Sequence, residues 1–195
     1  AAGAALFSTK AIFIKLAYRE EANAALLLAW RMVFSLPVYL AVGAYVIWQM
    51  KRRGEPLPRP RIWLNAFVIG LVGYYISSLL DFEGLVYITA QLERLVLFTY
   101  PIFVMLIGWL FMGHRLRAMG ILGAAITYAG LMIVCLIDLP DGGRNVVIGT
   151  ALVLGCAITF AIYQLLAKGI ISLMGSLLFT AIAMSGSSIA CILHY

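Results

Sequence analysis

The 195-residue chain is 64% hydrophobic and only 11% charged, with a mean hydropathy of +1.03. Soluble domains run at about 45–50% apolar and about 25% charged residues, so the composition excludes a soluble domain and indicates an integral membrane protein. A formal charge of +6 would suggest a nucleic-acid partner in a soluble chain; here the basic residues are assigned to the loops between spans, and nucleic acid is not a partner.

The apolar runs lack the two-residue alternation of barrel strands, so the sequence predicts a polytopic helix bundle. The opening residues, without Met, a charged start or a small-residue cleavage site, read as a helix entered part-way along. The first span covers about residues 1–18 and carries Lys10 and Lys15; the second, about 25–48, carries Arg31 and a kink at Pro37. A basic, proline-rich loop, MKRRGEPLPRPR, follows between Trp48 and Trp63. The third span, about 62–86, has Gly70 and Gly73 for close helix approach, then Tyr74 and Tyr75, and Asp81 and Glu83 toward its far end.

The fourth span is QLERLVLFTYPIFVMLIGWLFM, residues 91–112, opened by Glu93 and Arg94 and interrupted midway by Pro101, which removes one backbone donor. It leads to the basic loop Gly113 to Arg117. The fifth, about 118–137, contains Gly120, Gly123 and Gly130 and ends at a turn with Asp138, Pro140, Asp141 and two glycines. The sixth, about 146–167, holds Tyr163 and closes on Lys168; the seventh, about 175–193, is rich in small residues. Cys135, Cys156 and Cys191 lie in apolar surroundings and read as packing residues.

Charge tests this arrangement. Alternate loops hold Lys51, Arg52, Arg53, Arg59, Arg61, Arg115, Arg117 and Lys168 against Glu55 alone; the other turns hold Arg19, Arg94 and Arg144 against seven acidic residues. By the positive-inside rule, seven spans start with the N-terminus in the cytoplasm. A shift of 153 positions sets Ala4 on Ala157, Phe7 on Phe160, Ile12 on Leu165, Phe13 on Leu166 and Lys15 on Lys168, a weak internal repeat.

Ionisable residues inside a bundle are functional hypotheses. Lys10 and Arg31 lie deep in their spans, whereas Lys15, Glu83 and Arg94 sit near ends from which long side chains snorkel. Lys10 or Arg31 paired with Asp81 or Glu93 would be a structural solution; an unpaired cation would instead bind an organic carboxylate, and a carboxylate of raised pKa would carry a proton. Tyr74, Tyr75, Tyr100 and Tyr163 either line a cavity or pack against neighbouring helices. Pro37 and Pro101 are hinges or fixed kinks, and the glycines of the fifth span form a homodimer face or an internal contact.

The segments FSTKAIFIKLAY, LLAWRMVFSLPVYL and YYISSLLDFEGLVYITAQLERLVLFTYPIFVMLIGWLF resemble the EamA domain of the drug/metabolite transporter superfamily, most specifically from Asp81 to Pro101. The resemblance implies a ten-helix transporter of two inverted five-helix repeats. Residues 1–137 would be the first repeat, with its first helix truncated, and 138–195 the first two helices of the second. It also implies that the first, third, fourth and sixth helices face a central cavity, which favours Tyr74, Tyr100 and Tyr163. Many family members carry an acidic residue where this chain has His114.

The expected function is secondary transport of a small organic metabolite across a bacterial inner membrane by alternating access, coupled to protons or to exchange. A channel or a non-transporting assembly partner is the alternative. No catalytic residue, cofactor or metal is expected: Walker A, H-E-x-x-H and G-x-S-x-G patterns are absent, and there are two isolated histidines.

Overall fold

The computed structural model describes residues 24–113 and 118–194, and every element in them is helical. In chain order these are α1 (Ala24–Arg52), α2 (Pro60–Gly70), a π-helical turn (Leu71–Ile76), α3 (Ser77–Tyr87), α4 (Ala90–Leu97), α5 (Tyr100–Met112), α6 (Ala118–Met174) and α7 (Ser176–His194). Five stretches are long and apolar enough to cross a membrane: Leu26–Arg52, Pro60–Tyr87, Ala90–Phe111, Asn145–Met174 and Ser176–His194; Met119–Gly130 is a shorter apolar helix. The chain is a polytopic membrane bundle. The first predicted span, with Lys10 and Lys15, lies outside the described residues.

Local chemistry sets the helix ends. α1 stops where Gly54 takes a left-handed φ of 70°. The Glu55 amide then reaches the Met50 carbonyl (3.0 Å) and the Gly54 amide that of Lys51 (3.2 Å), closing off carbonyls that the helix leaves unsatisfied. Pro60 opens α2, where its missing amide loses nothing. Thr89 caps α4 by accepting the Leu92 amide at 3.2 Å. Gly113 ends α5 at φ 65°, and Gly175, at φ 82°, reverses the chain between α6 and α7.

Lipid explains the outer surface. Leu26, Trp30, Val33, Phe34 and Val38 form an exposed stripe along α1, while Leu28 and Met32 on the other side are fully buried. Such a stripe would carry a large hydrophobic penalty in water and is at home in acyl chains.

Inside the bundle, helices meet where side chains are smallest. A Cβ on Gly70 would stand 2.5 Å from the Ala183 Cα, one on Gly84 would meet Val153, and one on Gly186 would meet the Phe67 ring. Close backbone approach of this kind substitutes for the hydrophobic effect, which lipid does not supply between helices. The expected approach at Gly70 and Gly73 is divided between two partners: Gly70 faces α7 at Ala183, and Gly73 faces α6 at Tyr163.

The registers give the directions. Gly43 lies against Ala181 while Leu28 clusters with Cys191, so α1 and α7 are antiparallel. Gly73 meets Tyr163 and Gly84 meets Val153, so the span Pro60–Tyr87 is antiparallel to the second half of α6. Leu92 and Val96 pack with Val146 and Val153, and Tyr100 with Phe160, so the span Ala90–Phe111 runs parallel to it.

Two corrections to the sequence reading follow. The turn expected at Asp138–Gly143 falls inside α6, assigned as helix from Ala118 to Met174. α6 is nevertheless not straight. Gly120 abuts Met105 and Phe160 abuts Tyr100, partners five residues apart in α5, whereas Gly120 and Phe160 would be about 60 Å apart along a straight helix. The chain doubles back between these contacts. Second, Pro101 does not kink a continuous helix: the fourth span is two helices, broken at Phe98–Thr99, and Pro101 lies in the first turn of the second.

Candidate functional site

Two polar layers cross the interior. The outer one holds Arg31, five residues into its span, Asp81, six residues from the end of Pro60–Tyr87, and Glu93, three residues into Ala90–Phe111. At 1.5 Å per residue these sit about 5–9 Å from the span ends. Asp81 is 3% exposed and Glu93 fully buried. The Arg31 Nη2 donates to Ser78 Oγ at 2.8 Å, its guanidinium lies 5.3 Å from the Phe82 ring centroid, and the Asp81 carboxylate acts on it electrostatically. The structure thus brings Arg31 and Asp81 into one cluster between α1 and α3. Glu93 stands beside its neighbour Arg94, with Oε2 and Nε 3.1 Å apart. Lys10 lies outside the described residues, and Glu83 is half-buried.

The second layer is aromatic and lies at mid-depth. Tyr74 and Tyr100 mark the midpoints of Pro60–Tyr87 and Ala90–Phe111, and Phe160 that of Asn145–Met174. The Tyr163 hydroxyl donates to that of Tyr74 at 3.0 Å, and the rings meet edge to face with centroids 5.1 Å apart. Phe160 stacks on Tyr163 (5.5 Å) and meets Tyr100 edge-on (5.3 Å); Phe179 of α7 also stacks with Tyr163 (6.1 Å). A Cβ on Gly73 would lie 2.2 Å from the Tyr163 ring, so glycine there is what admits that ring. Tyr74, Tyr100 and Tyr163 are therefore brought together, with Phe160 joining Tyr100 to the other two. Tyr75 points elsewhere, to the His194 imidazole Nδ1.

Backbone irregularities fall at the same depth. The π turn Leu71–Ile76 carries Tyr74, and the amide of Ser77 reaches back five residues to the Val72 carbonyl. In the neighbouring span the helix breaks at Phe98–Thr99, where the buried Thr99 hydroxyl donates to the Val96 carbonyl at 2.6 Å. π turns and broken helices loosen the backbone hydrogen-bond ladder and recur at functional sites inside membranes. Pro37, within α1, is exposed to the lipid side.

Sequence reasoning missed three hydroxyls. Ser77 Oγ and Thr159 Oγ1 are 2.8 Å apart across α3 and α6, and Ser78 holds Arg31. Ser78 alone carried a signal, in its spacing: Tyr74, Ser78 and Asp81 fall at i, i+4 and i+7, one helical stripe. Phe160 carried no signal, being one apolar residue among many.

A helix bundle with a charged outer layer and an uncharged, hydroxyl-bearing aromatic layer at mid-depth defines a polytopic membrane protein with a polar interior. The comparisons specify the kind. Residues 1–136 match the EamA-like transporter family, and the chain belongs to that family. It is 27% identical over 203 residues to the uncharacterized transporter YcbK of Bacillus subtilis (strain 168), an alignment covering 98% of this chain. The chain spans 60% of the length of that curated relative. No solved structure matches.

Proposed function

We propose that the protein of which this chain is part is a secondary transporter that moves a small organic metabolite by alternating access, through a site at the aromatic layer. The observation that carries this reading is the meeting, at mid-depth, of the π turn at Tyr74 and the break at Phe98–Thr99 with the Tyr74–Tyr163–Phe160–Tyr100 cluster. Transporters of the inverted-repeat type place their sites at such discontinuities, near the bilayer midplane. The rings offer apolar and cation-attracting faces, and the Tyr74 hydroxyl, already accepting from Tyr163, retains its proton to donate to a solute.

Lys10, Arg31, Asp81 and Glu93 are the coupling candidates, to protons or to exchange, and Pro37 and Pro101 the hinge candidates. The family match to residues 1–136 supports reading 1–137 as one five-helix repeat and 138–195 as the start of an inverted second, with seven spans here and ten in the whole protein. The doubling-back of α6 supports two passages within that one element. Loop charge supports a cytoplasmic N-terminus, and the Bacillus relative a bacterial cell membrane. Gly123 and Gly130, with nothing within 4 Å of an added Cβ, leave room for a homodimer contact.

Vesicles containing the full-length protein test the reading with a pooled metabolite library, against Tyr163→Phe, Arg31→Gln and Glu93→Gln variants that still insert. Saturable flux of one compound class, reduced in the variants, supports a carrier. Conductance without saturation, or no flux from inserted protein, refutes it in favour of a channel or an assembly partner.

A further inference from the structure

The α1–α2 connection is more than an orientation signal. Lys51, Arg52, Arg53, Arg59 and Arg61 are all exposed, and against them stands Glu55 alone, five positive charges less one negative, or +4 within eleven residues. Glu55 reaches Arg53 at 3.9 Å with both side chains at least half exposed, a surface contact worth little, so the cations stay available to an anion.

The segment is held in shape. The left-handed Gly54 and the amides of Gly54 and Glu55 lock the end of α1. The Trp63 indole donates to the Pro58 carbonyl at 3.0 Å, tying the loop to α2, and Arg59 is extended, at φ −62° and ψ 149°, before Pro60. Two indoles frame it at the level where spans meet water. Trp48 is half exposed, with the Arg52 guanidinium 5.3 Å from its ring centroid, and Leu57 is exposed beside the charges. Tryptophan settles at the headgroup level of a bilayer, and a guanidinium over its ring is fixed at the same level. Cations, an apolar residue and interfacial indoles on one ordered loop complement a phosphate headgroup with its acyl chain.

We propose that Lys51, Arg53, Arg59 and Arg61, framed by Trp48 and Trp63, form a binding site for the headgroup of an anionic phospholipid in the leaflet that this loop meets. The site selects that lipid from the surrounding bilayer and thereby fixes the level of α1 and α2 in the membrane. Arginine grips the phosphate through paired N–H donors, which lysine does as a point charge, so Arg53, Arg59 and Arg61 carry the selectivity.

The test reads the two framing indoles. The full-length protein carrying Trp30→Phe and Trp109→Phe, two lipid-exposed positions, is reconstituted with brominated phosphatidylglycerol or brominated phosphatidylcholine at equal mole fraction, and tryptophan quenching is measured. The phosphatidylglycerol probe is expected to report a local enrichment of at least about fivefold, the effect of one basic residue at an anionic surface. Lys51→Gln/Arg53→Gln/Arg59→Gln/Arg61→Gln is expected to abolish the preference. Should that variant fail to insert, Arg59→Gln/Arg61→Gln and a salt titration of the parent decide, and the preference must fall in both. Equal quenching by the two lipids, a preference that survives neutralisation, or one removed by inorganic phosphate at constant ionic strength would overturn the proposal, the last outcome assigning the site to a soluble anion.

Discussion

Replacing Gly70 with alanine tests whether backbone proximity holds this bundle together. The new methyl would stand 2.5 Å from the Ala183 Cα, 2.6 Å from its Cβ and 3.0 Å from its carbonyl oxygen. These are backbone atoms or atoms fixed to it, so no rotamer relieves the clash, and α2 and α7 must separate by about 1 Å to restore normal carbon contacts. Overpacking costs about 1–3 kcal/mol. Separation also stretches the 2.9 Å bond from the Ser187 hydroxyl to the Gly70 carbonyl, a loss of about 0.6 kcal/mol for an interhelical bond in a membrane protein. Better helix propensity returns up to about 1 kcal/mol. The net loss is about 1.6 kcal/mol, roughly a fifteenfold fall in the folded-to-unfolded ratio. Equilibrium unfolding in mixed detergent micelles measures it, with Gly169→Ala as control, because nothing lies within 4 Å of a Cβ there. Adding Ala183→Gly removes the contact at 2.6 Å but leaves the Cα at 2.5 Å, so rescue is expected to be partial. Gly70→Ala unfolding at the same detergent fraction as the parent would refute the reasoning.

Other substitutions separate structural from transport roles. Tyr163→Phe removes the hydroxyl that donates to Tyr74 and is expected to cost about 0.6 kcal/mol in unfolding experiments, while Tyr163→Ala empties the space between Gly73, Phe160 and Phe179 at about 3–5 kcal/mol. Arg31→Gln removes the cation that acts on the buried Asp81 carboxylate and the bond to Ser78, and is expected to destabilise the bundle, with part of the loss regained in Arg31→Gln/Asp81→Asn; flux that stays absent in the stable double variant gives the two residues a role in transport. Pro101→Ala restores an amide able to bond the Leu97 carbonyl, so hydrogen-exchange protection from Phe98 to Ile102 should rise, with solute binding kept and turnover lowered.

Much of the bundle was legible because lipid imposes a length and a hydropathy that few other structures share. The bounds of the spans beginning at Ala24, Pro60, Ala90 and Ser176 follow from apolar runs between charged or left-handed punctuation such as Arg52–Gly54 and Gly113. Choosing Tyr74, Tyr100 and Tyr163 needed the family resemblance; periodicity alone did not separate them from Tyr75, which turns to His194. The π turn was not legible, since LVGYYI is an ordinary apolar helical sequence and the five-residue bond at Val72 is a product of tertiary packing. Gly70 and Gly73, three apart, read as one face, yet each meets a different helix. Pro101 signalled irregularity at the right depth but not its form, because proline is as acceptable in the first turn of a new helix as it is costly within an old one.

The two polar layers differ in what it takes to rearrange them. Exchanging partners at Arg31, Asp81 and Glu93 means moving buried charge, and breaking such a contact costs about 3–5 kcal/mol. The aromatic layer is joined by one hydroxyl–hydroxyl bond and by edge and stacked ring contacts of about 0.5–1.5 kcal/mol each, which rings re-form in new offsets. Its backbone is also already interrupted on two sides, at Leu71–Ile76 and at Phe98–Thr99, so a change in tilt there breaks little further helical bonding. On the transport reading proposed above, repacking to admit a solute therefore costs least at the aromatic layer and most at the charged one.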